Sequence, residues 1–368
     1  MDFAESWSEI GERVRESRLA LGLTQAQLAG RVGLERTALA KAEAGDRRLD
    51  ALELFRLSDI LGLPISHFLL RPPAAMVSRR VALTEDVATA VSRDGYLVEA
   101  RLLGWLRDVQ QLVELGLLQP RRPYRWTGRT QDEADARHAA VECRRRLEVG
   151  DGPLGSMADV CEQLGLFVLT TDVPGDGASV AHLDLGVAVV SDRGDPGRRR
   201  ATAAHELGHQ VLGDEYSTDL GVAASRGERE SLVDAFAAEL LVPVETILAA
   251  WPVRPDEAGA RTAAVQLAAR YRVSWSLLLR QLKRAEVLPP GWPARPPTRA
   301  ELLDAAGWER QPPEDLVSGQ VPPSYARAVF DGFQAGAISA ARAVELLHGW
   351  ITEEDLPEQE EPGTEPNP

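Results

Sequence analysis

Cysteine is nearly absent from this chain of 368 residues: only Cys143 and Cys161 occur, and neither belongs to a Cys-x-x-Cys pair. That excludes a disulfide framework and a cysteine-rich zinc site, and leaves two buried thiols as the expectation. Long apolar runs are missing too: no stretch approaches the roughly 18 residues that a membrane-spanning helix needs. The first residues, Met1-Asp2-Phe3-Ala4-Glu5, are acidic and contain no signal-peptide core. Both features point to the cytoplasm and away from a membrane partner. Positive charge is short, with 41 Lys and Arg against 56 Asp and Glu, a net of −15. A protein that coats nucleic acid over its whole surface is thereby excluded, although one module could still read DNA. What is present is ample apolar content, 44%, and a length that suggests two or three domains.

Histidine is scarce as well, yet two of the six histidines fall one helical turn apart, in Ala203-Ala204-His205-Glu206-Leu207-Gly208-His209. Asp195 is placed to cap a helix here, Pro196 suits its first position and Gly213 its end. At about 100° per residue, His205 and His209 lie roughly 40° apart on the wheel. Glu206 falls about 100° from His205 and about 60° from His209, flanking the same face. Two imidazoles so placed can hold one Zn²⁺, with the carboxylate between them reaching a water on the ion. Ala201, Ala203, Ala204, Leu207, Val211 and Leu212 make the helix apolar nearly all round, which predicts burial. Gly208 costs the helix about 1 kcal/mol against Ala, and close approach of another backbone would explain it.

Such an ion needs a third protein ligand. Downstream, Glu228, Glu230, Asp234 and Glu239 compete on one predicted helix. Relative to Glu230, Asp234 sits about 40° round the wheel, Glu228 about 160° and Glu239 about 180°. Glu230 and Asp234 thus share a face. Glu230 reaches furthest and is the natural ligand, while Asp234 could accept a hydrogen bond from the far nitrogen of a ligating histidine, His205.

The N-terminal residues 9–71 read as five short helices. Thr24 and Gln27 form a capping box, Gly33-Leu34 makes a tight turn, and Glu35–Ala44 is the next helix. Helix, short Gly-containing turn, helix is a helix-turn-helix layout, whose second helix enters the major groove of double-stranded DNA. This stretch resembles the XRE (Cro/C1-type) helix-turn-helix family. Arg18, Gly22-Leu23-Thr24-Gln25, Leu28-Ala29, Val32-Gly33, Leu39, Glu43, Gly45 and Leu61-Gly62 carry the resemblance. It implies that Glu35, Arg36, Thr37 and Lys41 face bases or phosphates, and that Arg18 and Gln25 touch the DNA backbone. Residues 1–71 hold ten basic and eleven acidic side chains, so phosphate attraction should be weak and salt-sensitive.

Val81–Leu118 reads as a helical linker over 79–120, where a homodimer could form, with Asp94-Gly95 as a possible break. Strands are predicted at Leu166–Thr171, Ala178–Leu183 and Gly186–Ser191; the strand just before the histidine helix could pair with an extended peptide substrate. Helices are predicted at Arg299–Ala306 and Pro323–Ile351, within a C-terminal region at 298–352. An acidic tail at 353–368 is expected to be disordered.

His205–His209 followed by Glu230 and Asp234-Ala235-Phe236-Ala237-Ala238-Glu239-Leu240-Leu241-Val242-Pro243 resembles the ImmA/IrrE family of zinc metallopeptidases, a gluzincin-like group, over roughly 132–288. Leu232 departs from many members, which carry an acidic residue there. The resemblance implies peptide hydrolysis, with Glu206 taking a proton from the attacking water and passing it to the leaving amine. Tyr216 and His182 are the nearest oxyanion helpers and read better as structural residues; His67, His138 and His348 have no ligand-like partners.

The expected fold is therefore mainly α with a small α+β domain. The expected function is a DNA-binding regulator whose zinc endopeptidase cleaves a repressor or operon partner. The alternative is a transcription factor or antitoxin-like regulator whose metal domain binds or senses without cutting. The intact Glu206 favours the first, because a pure binding fold would not need it.

Overall fold

The computed structural model describes residues 3–71, 90–182, 184–213, 223–288, 292, 295–307 and 314–359. The start of the expected linker at 79–89, Tyr216 and the tail from 360 lie outside the described residues. Those described form sixteen α-helices and one three-stranded sheet, a mainly α fold with a small α+β part. The chain divides into two compact units, Met1–Gln111 with Val173–Ala178, and Leu112–Asp172 with Ser179–Pro368.

In the first unit, α1 (Trp7–Ala20), α2 (Gln25–Val32), α3 (Arg36–Glu43), α4 (Ala51–Leu61) and α5 (Ile65–Leu69) surround Val14, Leu28, Leu39, Leu57 and Phe68, all fully buried. Local chemistry sets their ends. Thr24 and Gln27 form the reciprocal box that starts α2, and Asp50 and Glu53 form another that starts α4. Gly33 closes α2 at φ 78°, a left-handed conformation that turns the chain into α3 and that side chains with a Cβ rarely adopt. The linker helix α6 (Ala90–Glu114) runs unbroken through Asp94-Gly95. A single helical glycine costs only about 1 kcal/mol, and tertiary contacts offset it. Tyr96 Oη lies 2.9 Å from Ser17 Oγ and 2.7 Å from His67 Nε2, and Ala100 joins the core of the bundle.

The second unit holds α7 (Glu133–Arg146), α8 (Met157–Gln163), β1 (Leu166–Thr171), all but the first two residues of β2 (Gly177–His182), β3 (Leu185–Ser191), α9 (Pro196–Leu212) and α10 (Ala223–Leu241). It continues with α11 (Val244–Ala250), α12 (Glu257–Tyr271), α13 (Trp275–Arg284), α14 (Arg299–Ala306), α15 (Pro323–Gln334) and α16 (Ala340–Leu346). The sheet order is β1-β3-β2, with β1 and β3 parallel from Leu166↔Gly186 to Thr171↔Ser191. All seven residues of β3 are buried, the pattern of a central strand. This corrects the expectation that the strand before the histidine helix takes a peptide: β3 is paired on both sides and has no free edge. The outer edge of β1 is met by the segment after α14, where Thr170 N–H donates to Gln320 O at 3.0 Å and Gly319 N–H donates to Thr170 O at 2.8 Å. β2 forms the opposite edge of the sheet.

One core joins α7–α10, β1, β3, α12 and α13. Buried Arg144 of α7 ties into α10 by donating to Leu240 O at 2.5 Å, and also to Gly150 O at 2.9 Å. The C-terminal region packs into the same unit. Asp315, 4% exposed, accepts from Arg200 Nη1, from Met157 N–H at 2.7 Å, from Ser156 Oγ at 3.1 Å and from Arg272 Nη2 at 3.2 Å. Burial, with Arg272 alongside, pulls the Arg200 guanidinium down to about 10. The helix predicted over Pro323–Ile351 is two, because Ser339 caps a fresh start by accepting from Arg342 N–H at 3.3 Å. Residues 353–355, expected within the disordered tail, form a 3₁₀ turn closed by a Thr352–Asp355 box.

Asp315→Ala would leave Arg200 buried without its carboxylate. Breaking such a pair costs about 3–5 kcal/mol, so the thermal midpoint of the second unit should fall by roughly 6–20 °C in a scanning calorimeter.

Candidate metal centre and DNA-reading helix

The Asp195 carboxylate starts α9 by accepting from Arg198 N–H at 3.1 Å, Pro196 occupies its first turn, and Gly213 ends it. The helix is buried along most of its length, as its apolar circumference predicts. Arg199 and Arg200, which open it, are interior anchors rather than surface charges. α10 packs against α9 at Gly208: a Cβ there would stand 3.0 Å from Phe236 Cδ1 and 3.0 Å from Val233 Cγ1. The intruders are side chains first, with the Val233 carbonyl next at 3.5 Å. Glycine at this crossing lets α10 lie close enough for its carboxylates to reach the histidines.

That proximity brings three side chains together. Nε2 of His205 and Nε2 of His209 are 3.1 Å apart, and Glu230 Oε2 lies 3.3 Å from the first and 4.0 Å from the second. A tetrahedral ion with bonds of about 2.1 Å sets its ligand atoms about 3.4 Å apart, so the three atoms have the spacing such an ion requires. Two imidazole nitrogens and one carboxylate oxygen are also the donor chemistry of catalytic zinc sites. They are the one group among the described residues whose His, Cys and acidic atoms converge in this way. Glu228 is exposed and Glu239 is buried on the opposite side, where it accepts from Val244 N–H at 3.2 Å and Gln281 Nε2 at 3.2 Å.

The far nitrogen of His205 meets Asp234. Nδ1 and Oδ1 are 3.1 Å apart, and Arg280 Nη1 of α13 donates to Asp234 Oδ2, also at 3.1 Å. An Nδ1–H donated to Asp234 leaves the Nε2 lone pair facing Glu230 and His209. Burial alone would hold the His205 imidazole down, but the Asp234 bond and the charges of Glu206, Asp234 and Glu230 outweigh it and raise it. The same hydrogen bond, aided by Arg280 and opposed by burial, holds Asp234 below the usual carboxylate range.

Glu206 is 5% exposed, and burial pushes its carboxyl upward against the lowering effect of both histidines and of Ser179. Ser179 Oγ on β2 donates to Glu206 Oε2 at 2.6 Å. One oxygen is thus fixed by a strand neighbour. Ser179 and Arg280 are the two contributors the sequence reading missed. Neither stands in a motif: Ser179 comes from an adjacent strand, and Arg280 lies 46 residues beyond its partner. His182, on the same strand, is half-buried.

In the first unit, Glu35, Arg36, Thr37 and Lys41 are exposed along α3 and its start. Arg18 is different. It is 4% exposed, its Nε donates to Glu43 Oε1 at 2.6 Å, its Nη2 to Glu43 Oε2 at 3.1 Å, and its Nη1 to Leu23 O at 2.9 Å. The expectation that Arg18 touches DNA is corrected accordingly: a buried carboxylate and a carbonyl hold its guanidinium inside. Gln25 Nε2 donates to the same Glu43 Oε2 at 2.8 Å and is half-buried.

The first unit holds a helix-turn-helix bundle and the second a cluster of side chains that could hold a metal ion, and comparison with known proteins gives the families. Residues 14–68 match the family model described as helix-turn-helix, and residues 161–283 match that of the IrrE N-terminal-like domain. The chain is a fusion of an XRE-type helix-turn-helix domain with an IrrE N-terminal-like peptidase-family domain. Over 61 residues it is 38% identical to an uncharacterized transcriptional regulator in the ATPase CF(0) region of Rhodospirillum rubrum. That match spans 17% of this chain and 56% of the relative. It is also similar to the restriction-modification controller protein C.AhdI from Aeromonas hydrophila, at 31% identity over 17% of this chain and 94% of that one. A second solved structure, PlcR of Bacillus thuringiensis with the peptide PapR7 and DNA, is 10% identical over 92% of this chain and 91% of its own. Both structural likenesses have a TM-score of 0.17, too low to support a fold.

Two substitutions test the placements above. Asp234→Ala should weaken zinc binding about 10–100-fold, measured by competition with a chromophoric chelator; unchanged affinity would detach Asp234 from the centre. Arg18→Ala should destabilise the first unit by about 3–5 kcal/mol in thermal unfolding, because it strands Glu43 in the interior.

Proposed function

We propose that this protein is a cytoplasmic regulator that binds operator DNA and hydrolyses a peptide bond in a protein partner, a repressor or an operon neighbour, with Zn²⁺ held by His205, His209 and Glu230. The observation that carries the reading is the meeting of Glu230 Oε2 with both Nε2 atoms, from two helices, beside a buried Glu206. Bound there, zinc supplies the Lewis acidity that activates water and polarises a scissile carbonyl.

The chain's own groups do the rest. His205 is oriented through its Nδ1–H by Asp234, itself braced by Arg280. Glu206 accepts the proton of the attacking water and delivers it to the leaving amine. Ser179 fixes one of its oxygens, and burial raises its proton affinity toward that of a working general base. β2, the outer strand that carries Ser179, is the edge on which an extended substrate would lie. On the DNA side, Glu35, Arg36, Thr37 and Lys41 are exposed where the second helix of the motif enters the groove, with Gln25 as a backbone contact.

Zinc content and proteolysis separate this reading from a metal-binding regulator that does not cut. Purified wild type and Glu206→Gln should carry equal zinc, by atomic emission. Only the wild type should cleave a protein encoded beside it, seen as loss of the intact band. Cleavage retained by Glu206→Gln, or absent from both, would remove the hydrolase reading.

A further inference from the structure

The start of α3 departs from the pattern of the bundle around it. α1, α2 and α4 each begin at a short polar residue whose side chain caps the helix. Ser6 Oγ accepts from Glu9 N–H at 3.3 Å, Thr24 Oγ1 from Gln27 N–H at 3.2 Å and Asp50 Oδ1 from Glu53 N–H at 2.8 Å. α3 begins at Glu35, whose side chain makes no such bond. Glutamate lies outside the set preferred at that position, which is led by asparagine, aspartate, serine and threonine. The second helix of the motif thus forgoes a cap and carries an exposed carboxylate instead.

Other acids of the bundle are engaged by arginines. Glu5 and Glu9 pair with Arg71, Glu43 with Arg18 and Glu53 with Arg47. Among the described residues, the Glu35 side chain has no ion pair or hydrogen bond. The same holds for Arg31, Arg36, Lys41 and Arg48, all exposed, which lie before, within and after α3 in the chain. Those four cations suit phosphates. A carboxylate set among them and presented to a polyanion is repelled by every phosphate. It finds attraction only at a base edge that donates a hydrogen bond.

Granted the DNA-reading role proposed above, we infer that Glu35 reads a cytosine in the operator and fixes the identity of that base pair. In the major groove guanine shows two acceptors, thymine an acceptor and a methyl group, and adenine a donor beside an acceptor. Cytosine shows an amino donor alone. An ionised carboxylate can only accept, so cytosine is the one base that meets it with a donor and no acceptor of its own. Arg36, next in the chain, has the opposite preference, its fork matching guanine O6 and N7. Glu35 therefore lowers affinity for duplex in general and contributes the choice of sequence.

Selection of binding sites from a randomised duplex pool by the full-length protein, repeated with three variants, tests the assignment. Wild type should enrich sites with a fixed cytosine at one position, and replacing that base pair should weaken binding about 5–150-fold in fluorescence anisotropy. Glu35→Ala should hold that preference to within about twofold of none, keep the preferences elsewhere in the site and bind unselected duplex more tightly. Glu35→Gln, whose amide also donates, should admit adenine at the same position. Asp46→Ala removes another exposed acid, beyond α3, and should enrich the same sites as wild type. Wild-type sites with no fixed cytosine, a cytosine that survives both substitutions of Glu35, or one lost equally in Asp46→Ala would overturn the base contact and leave DNA binding standing. Failure of wild type to enrich any site overturns both.

Discussion

The close crossing of α10 over α9 at Gly208 is the constraint on which the candidate metal centre depends. Val233 and Phe236 fill the space a side chain at 208 would take. Because they do, Glu230, three residues before Val233, reaches the imidazoles, and Asp234, the residue after it, reaches the other face of His205. A helix pair held a side chain further apart would keep both histidines and both carboxylates and lose the convergence. Packing here sets the chemistry.

Around that crossing, two carboxylates near the centre are each held by a further element. Asp234 is braced from α13 by Arg280, and Glu206 from β2 by Ser179. The pattern is one of orientation through neighbours: a carboxylate fixes the tautomer of an imidazole, and a hydroxyl fixes the rotamer of a carboxylate. The first unit repeats it in a structural setting, where Glu43 gathers Arg18 and Gln25 from two other helices and so secures the turn that presents α3.

Much of this was legible in the sequence, for local reasons. Caps and periodicity are written within a few residues, so the Thr24–Gln27 box, the Asp195 cap and the three strands could be read directly. The His205–His209 spacing followed from helical period alone, and the wheel put Glu230 and Asp234 on one face and Glu239 on the other. What could not be read depends on which segments meet. Arg18 has the composition of a surface cation, and only the fold shows Glu43 waiting beneath it. β3 has the apolar run of a central strand, but its pairing partner β1 lies before β2 in sequence, so its neighbours were not evident. Ser179 and Arg280 gave no signal because each owes its role to a residue on another element.

The stretch that matches the IrrE-like family, 161–283, is shorter than the body that folds around it. Asp315 neutralises an arginine sealed inside α9, and residues 319 and 320 shield the outer margin of β1. A polypeptide cut at the family boundary would carry an uncompensated interior cation and a bare strand, the second an invitation to self-association. The modular look of the chain is thus misleading at its C-terminal end: the peptidase-family stretch is completed by residues that no motif announces.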